Sequence, residues 1–361
     1  MGIEFKLTDS QLPASPAFVL FLDQQLAGRP METQQWPDQR SEALAPADPL
    51  LIDRANEAAS RVMSSASGRE QIGRAYQLFV DLLTGDLHSL RSLQERYEFL
   101  TVNGVARTGG SYLTAELYRA LGMQPEQIPN VLAHDGFPDF GPFCLTGGSN
   151  SWLFALKMLA EWLTMVQLYF SDQPSRAGRV VVPKKLAQSV YAGGLFAQVL
   201  GKNSEHLLTV RHPAAACVST YEKSGGLPAH GRFAVRSNIE AWCLRDLLSV
   251  GLSQELLEHS DYFDVYLRYW ELHYTSLVTT GLTAATVRVV PFDPQILQQT
   301  AQSYHERYHS GRAAAQFEAT DRTRHRHPEW VERSKDCLLR TAALWERMGQ
   351  HLPLETLVQC W

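Results

Sequence analysis

Four short apolar runs of strand length, at 99–105, 179–182, 206–210 and 286–290, are each followed by a polar turn and then a helical pattern. This alternation constrains the chain more than any other feature: it specifies an α/β fold, a parallel sheet with flanking helices. In such sheets ligands sit beyond the carboxyl ends of the strands, so chemistry is expected in the residues just after each run. No internal repeat or low-complexity tract interrupts the pattern.

What precedes the first run differs in kind. Residues 28–49 carry Pro30, Pro37, Pro46 and Pro49 among polar residues, which reads as an irregular connection. From 51 to 100 apolar residues recur at three- and four-residue spacings, as between Tyr76 and Leu83, which reads as helix packed around a core that begins later. The expected division is therefore an irregular and helical N-terminal extension over 1–98, packed on an α/β domain over 99–361. A chain of 361 residues with 45% hydrophobic residues can fill such a core. Segment 152–170 has the length of a membrane span, but it includes Lys157 and Glu161, so the expectation is a buried or interfacial helix and no membrane span. Its apolar surface is also a candidate interface for a homo-oligomer.

The 33 Lys and Arg against 38 Asp and Glu give a formal charge of -5, so no global basic field draws in nucleic acid and any anion site must be local. Cys144, Cys217, Cys243, Cys337 and Cys360 are scattered, with no CxxC pair to chelate zinc or cycle as a redox couple. They read as reduced thiols of a cytoplasmic protein. Near the N-terminus, Glu4 and Asp9 stand where a signal peptide would be basic and then apolar, which argues against export.

The first run leads into Arg107, Thr108, Gly109, Gly110, Ser111 and Tyr112, and a helical pattern over 113–121 ends at Gly122. A strand, a glycine turn and a helix N-terminus together make a phosphate cradle, because free N–H groups and the helix dipole favour an anion. Counted from Gly104, the loop resembles the nucleotide-phosphate pattern G-x4-G-K-[ST], with Gly110 in place of the lysine. Arg107 instead puts a permanent cation inside the loop, suited to a phosphate whose bond to a transferring group is breaking. Taken alone, the Gly-Gly pair reads as an ordinary tight turn. The third run repeats the arrangement: Arg211 at its end, Pro213 suited to a helix's first turn, and Ser219 about two turns on.

On these two motifs the chain resembles the sulfotransferases that use 3′-phosphoadenylyl sulfate (PAPS). That family reads the 5′-phosphosulfate with a loop of the form [K/R]-[S/T]-G-[T/S]-[T/S], and the 3′-phosphate with an arginine and a serine eight residues later. Arg107, Thr108, Gly109 and Ser111 match the first, and Arg211 and Ser219 match the second. The Arg211, His212, Pro213 spelling looks like the bacterial branch. The chain departs at Gly110, where the family has Thr or Ser, and at Tyr112, where soluble members often carry a tryptophan against the adenine. The resemblance covers 99–122 and 179–222, with 286–293 as a further core strand. It implies a P-loop-like sulfotransferase architecture, PAPS as co-substrate and 3′-phosphoadenosine 5′-phosphate (PAP) as product. It also implies cofactor contacts through residues 107–112, Arg211 and Ser219, and a small-molecule, carbohydrate or lipid acceptor. No metal is obligatory for the transfer.

For catalysis, Arg107 is the first choice to stabilise the leaving group. Lys184 resembles the lysine or histidine the family places after its next core strand, with Lys185 as a rival and a solvated surface pair as the plain alternative. His134 is the first choice of proton acceptor, ahead of Asp135, the alternative being an exposed loop histidine. The glycine-rich 222–231 reads as a mobile loop over substrate or only a connection, and Arg322, Arg324 and Arg326 as a basic loop or a solvated cluster.

Three other classes compete. His305, Glu306 and His309 satisfy H-E-x-x-H, a zinc-peptidase pattern, but in a polar setting. A P-loop kinase or hydrolase fits the cradle but lacks its lysine. A non-catalytic nucleotide-binding protein would keep the cradle without an acceptor pocket.

Overall fold

The computed structural model describes residues 14–28, 49–86, 88–137, 149–282, 286–318 and 326–359. Each apolar run forms a strand: β1 (Tyr97–Asn103), β2 (Val180–Lys185), β3 (Glu205–Val210) and β4 (Val287–Pro291). They pair in the order β2-β1-β3-β4, all parallel. The helices before β1 are α1 (Pro16–Leu26), α2 (Pro49–Ser64), α3 (Ala66–Thr84) and α4 (His88–Arg96). Between β1 and β3 lie α5 (Gly110–Ala120), α6 (Asn130–Ala133), α7 (Ser149–Tyr169) and α8 (Gly193–Leu200). After β3 come α9 (Pro213–Lys223), α10 (Asn238–Ser249), α11 (Gln254–His259), α12 (Tyr262–Thr279), α13 (Pro294–Arg307), α14 (Pro328–Arg347) and α15 (Leu354–Gln359).

Helices cover both sides of the sheet, which is why β1 and β2 are buried almost throughout rather than alternating. Leu100, Val102, Val181 and Leu207 face α5 and α13. On the other side Phe99, Val180 and Val182 pack with α1, α3 and α7, while Leu208 and Val210 pack with α9, α12 and α14. The N-terminal helices thus share a core with the β1–β2 half of the sheet. Their entry is pinned where the Ser15 N–H donates to Glu161 of α7 at 2.9 Å, beside Lys157 at 3.8 Å. The charges that argued against a span are an internal ion pair, and among the described residues no helix is long and apolar enough to cross a membrane. Most of the described apolar surface of α7 is covered by α1 and α3 of the same chain, with Phe154 exposed. Cys217, Cys243 and Cys337 are buried free thiols, whereas Cys144 and Cys360 lie outside the described residues.

Two of the boundaries that differ from the sequence expectation shape the β1 loop. Strand β1 stops at Asn103 because Gly104 turns to φ +137°, and α5 starts at Gly110, ahead of the expected 113. The earlier start puts Gly110, Ser111 and Tyr112 in the helix's first turn. Gly104 is also where the loop crosses β3: a Cβ there would lie 2.3 Å from Thr209 Oγ1 and 2.4 Å from the Thr209 carbonyl oxygen. Gly104→Ala combines that clash with an unfavourable φ and is expected to cost at least about 1–3 kcal/mol in urea unfolding. An unchanged midpoint would show that β1 and β3 part there without penalty.

Candidate active site

From β1 the chain crosses to β2 on one side, and then to β3 on the other. Connections that diverge in this way leave a crevice at the strands' carboxyl ends. A cleft of about 340 Å³ lies there, and its walls include Arg107, Ser111, His134, Lys185, Arg211 and Ser219. It runs across the sheet from the end of β2, over the start of α5, to Phe292 beyond β4.

The β1 loop is shaped by its own hydroxyls and by left-handed backbone. Arg107 has φ 69° and Gly109 has φ 90°, where a Cβ would stand 2.9 Å from Leu297 Cδ1. Thr108 is buried: its hydroxyl donates to the Val105 carbonyl at 2.7 Å and lies 2.7 Å from Thr209 Oγ1. Its side chain therefore shapes the loop, while Gly109, Gly110, Ser111 and Tyr112 line the cleft. The first turn of α5 leaves N–H groups without intrahelical partners at this wall. The Tyr112 hydroxyl donates to the Ala315 carbonyl at 2.6 Å and its ring packs on Phe317 at 4.8 Å, so the position expected to face a base carries an aromatic pair.

The second motif converges on the first. Exposed Arg107 donates through Nε to Ser219 Oγ at 3.0 Å, and Arg211 Nη1 donates to the Arg107 carbonyl at 3.2 Å. Arg211 is buried with its guanidinium 3.9 Å from the centre of the Phe292 ring. Its Nε has no hydrogen-bond partner among the described residues, and burial pushes its pKa down to about 10. A desolvated cation that lines a cleft and is not fully hydrogen-bonded favours a bound anion.

At the other end, strand alternation separates the two lysines of β2. Lys185 lines the cleft, its stem so close to α5 that a Cβ on Gly110 would lie 3.3 Å from Lys185 Cε. Lys184, the residue favoured from sequence as catalytic, points to the opposite face, where it is fully buried and away from the cleft. Its Nζ donates to the carbonyls of Val131, His134 and Gly136. Asp135 is buried behind the wall, pairing with Lys185 Nζ and accepting from the Ala187 N–H at 2.9 Å. Burial alone would raise the Asp135 pKa, but Lys185 and then His134 overcome it and hold the carboxyl far below its usual range. His134 reaches the cleft, with Nε2 3.4 Å from Ser111 Oγ and Nδ1 3.7 Å from Asp135 Oδ2.

Other expected sites fare differently. His305 is buried and held by Glu116 at 3.0 Å and Ser310 at 2.8 Å, whereas His309 lies beyond the end of α13 with φ 50°. The H-E-x-x-H residues thus do not share a helix, and no metal-holding group of His, Cys, Asp and Glu occurs among the described residues. Arg322 and Arg324 lie outside the described residues; Arg326 pairs with Glu222 at the rim of the cleft. The 222–231 segment borders the cleft at Glu222 and Lys223, and its far end is fastened by the Tyr262 N–H donating to the Gly231 carbonyl at 2.9 Å. Trp242, Phe292, Phe317 and Lys223 also line the cleft. Of these, Phe292 could have been found from sequence because it comes two residues after the fourth apolar run, and Lys223 because it lies in the glycine-rich 222–231. Trp242 comes from α10, which carries no motif, and its ring centre is 5.9 Å from Lys185 Nζ.

No family model, curated protein or solved structure matches this chain.

Removing the Asp135 charge leaves the buried Lys185 ammonium without its carboxylate. Asp135→Asn is therefore expected to cost about 3–5 kcal/mol in urea unfolding at neutral pH. The folded carboxyl is depressed relative to the unfolded chain, so its contribution is complete above the unfolded pKa and is lost only as pH falls through the folded one. The difference between variant and wild type should hold from about pH 7 to pH 5. A cost under about 1 kcal/mol would mean the pair is solvated.

Proposed function

We propose that this chain is a sulfotransferase that moves a sulfuryl group from PAPS to an acceptor hydroxyl. One observation carries the reading: two motifs more than a hundred residues apart meet in a single cleft, through Arg107 Nε to Ser219 Oγ and Arg211 Nη1 to the Arg107 carbonyl. A nucleotide with phosphate at both its 3′ and 5′ positions has one anion for each half of that arrangement. Arg211 and Ser219 receive the 3′-phosphate, and the first turn of α5 receives the 5′-phosphosulfate. Phe292, Phe317 and Tyr112 give the nucleotide end an apolar wall.

In the transfer, a lone pair of the acceptor oxygen forms a bond to sulfur as the bond from sulfur to the bridging phosphate oxygen breaks. The electron pair stays on that oxygen, leaving PAP, and the hydroxyl proton passes to His134. Products are the sulfate ester, PAP and a proton. Negative charge grows on the leaving phosphate, and of the cations that line the cleft Lys185 and Arg107 are the two that meet it. Asp135 touches neither reactant in this scheme; it holds Lys185.

A second reading, phosphoryl transfer from ATP, is favoured by one observation: the Lys185 stem packs over Gly110 and brings a cation to the loop that lacks its own lysine. The 3′ position separates the two, since ATP has a neutral hydroxyl there to offer Arg211. A hundredfold excess of PAP over its dissociation constant should add about 2.7 kcal/mol of stability in thermal unfolding, with little shift from ATP. Arg211→Ala should weaken PAP by roughly 10–100-fold and leave 5′-AMP nearly unchanged in titration calorimetry. Equal shifts for PAP and ATP, or an unchanged PAP-to-AMP ratio, would remove the sulfotransferase reading. For chemistry, Lys185→Ala and Arg107→Ala should each lower turnover by about 10²–10³-fold at saturating PAPS. Normal turnover in either variant would strike that residue from the mechanism.

A further inference from the structure

Two adjacent lysines at the end of β2 grip one turn from opposite sides. Lys184 Nζ donates to the carbonyls of Val131 at 3.0 Å, His134 at 2.7 Å and Gly136 at 3.0 Å, one acceptor for each N–H of an ammonium. Phe137 and Trp162 enclose it, their ring centres 5.0 and 5.2 Å away. From the cleft side Lys185 takes the Asp135 carboxylate, whose other oxygen accepts from the Ala187 N–H just past β2. The turn is thus fastened by its carbonyls and by its one acidic side chain at once. What it presents to the cleft is His134, with Nε2 3.4 Å from Ser111 Oγ.

The arrangement is costly. Burial pushes the Lys184 pKa down to about 7, with Asp135 acting to raise it and Lys185 to lower it. A methionine would suit the Phe137 and Trp162 surroundings without a buried ammonium. Every hydrogen-bond acceptor of Lys184 belongs to the segment that carries His134 and Asp135, so the charge is spent on the path of that segment.

We infer that Lys184 is a positioning residue, which acts through the 131–136 turn to hold His134 beside Ser111 and Asp135 against Lys185. The inference rests on the sulfuryl-transfer reading for what the positioned His134 does, but not for the clamp itself. It is distinct from a catalytic role, because Lys184 does not reach the cleft.

The test compares Lys184→Met and Lys184→Arg with wild type in the full chain. Amide exchange across 131–137 should speed up by about tenfold or more in Lys184→Met, with the β1 and β3 amides unchanged. PAP affinity by calorimetry should stay within about twofold, since Arg211 and Ser219 lie at the other end of the cleft, while kcat falls about 10–100-fold with KM for PAPS held. The acceptor is the best of a panel of phenols, alcohols and sugars. Lys184→Arg, which keeps charge and donors, should recover part of both losses. Unchanged exchange in the turn would overturn the clamp. Exchange rising across the whole sheet, with PAP affinity and kcat lost together, would make Lys184 a general packing residue and overturn the positioning role. Because exchange needs no turnover, failure of PAP to bind would remove the sulfuryl-transfer reading and still leave the clamp decided.

Discussion

The joint between β1 and β3 holds the site together. Thr209 Oγ1 donates to the Asn103 carbonyl at 2.9 Å and meets Thr108 Oγ1 at 2.7 Å, while Gly104 passes so close to Thr209 that only a hydrogen fits. These contacts fix the β1 loop on the neighbouring strand before any side chain of the cleft is considered. Arg107 can then reach Ser219 of α9, and Arg211 can reach back to the Arg107 carbonyl, because the two strand ends are already in register. Trp270 and Tyr274 of α12 brace the same joint from behind, donating to the Arg211 and Thr209 carbonyls. A loop that repositions on its own would have to break buried hydroxyl contacts, each costly to leave unmade.

On this frame the protein concentrates positive charge that its composition does not advertise. Four cations, Arg107, Lys185, Arg211 and Lys223, line the cleft against Glu222 and Glu318, in a chain of net charge -5. Glu222 is itself engaged by Arg326. The local field is therefore opposite in sign to the whole molecule, as the binding of an anion requires. A desolvated arginine stacked on Phe292 sits in a medium where its attraction for a phosphate is stronger than in water.

Much of this was legible in the sequence, and what was not has definite causes. Apolar runs bounded by polar turns located all four strands: in β1, β2 and β3 burial on both faces leaves little polar alternation, while β4 is half-exposed and was marked by Val287, Val289 and Val290. Arg107, Ser111, Arg211 and Ser219 were found from strand-to-helix turns and His134 as a candidate proton acceptor, and all border the cleft. The choice between Lys184 and Lys185 was not legible, because it depends on where β2 ends. A strand expected to stop at 182 leaves both lysines in a loop, whereas one continuing through Lys185 sends them to opposite faces. Pro183 lies inside β2, which is an edge strand, where a missing N–H is tolerated. Trp242 and Phe317 were invisible for another reason. They reach the cleft by tertiary packing of α10 and of the segment after α13, with no local spacing to mark them.

The two ends of the sheet treat charge in opposite ways. At the amino ends, Arg307 bridges Glu98 at 3.1 Å and Glu205 at 2.8 Å, with its side chain about half exposed. Pairs of that kind contribute little and cost little, since water can replace either partner. At the carboxyl ends Lys185, Asp135 and Arg211 are buried at or just behind the cleft wall, and Lys184 is buried on the opposite face of β2. Each is a group that an apolar residue of similar size could replace with no loss of core, and with a gain in stability where a whole pair is removed. A fold selected for stability alone has no reason to load one end of a four-stranded sheet in this way while keeping the other end solvated. The asymmetry follows if the buried charges are there to meet and position a reacting anion, because desolvated, fixed cations need no reorganisation when charge develops beside them.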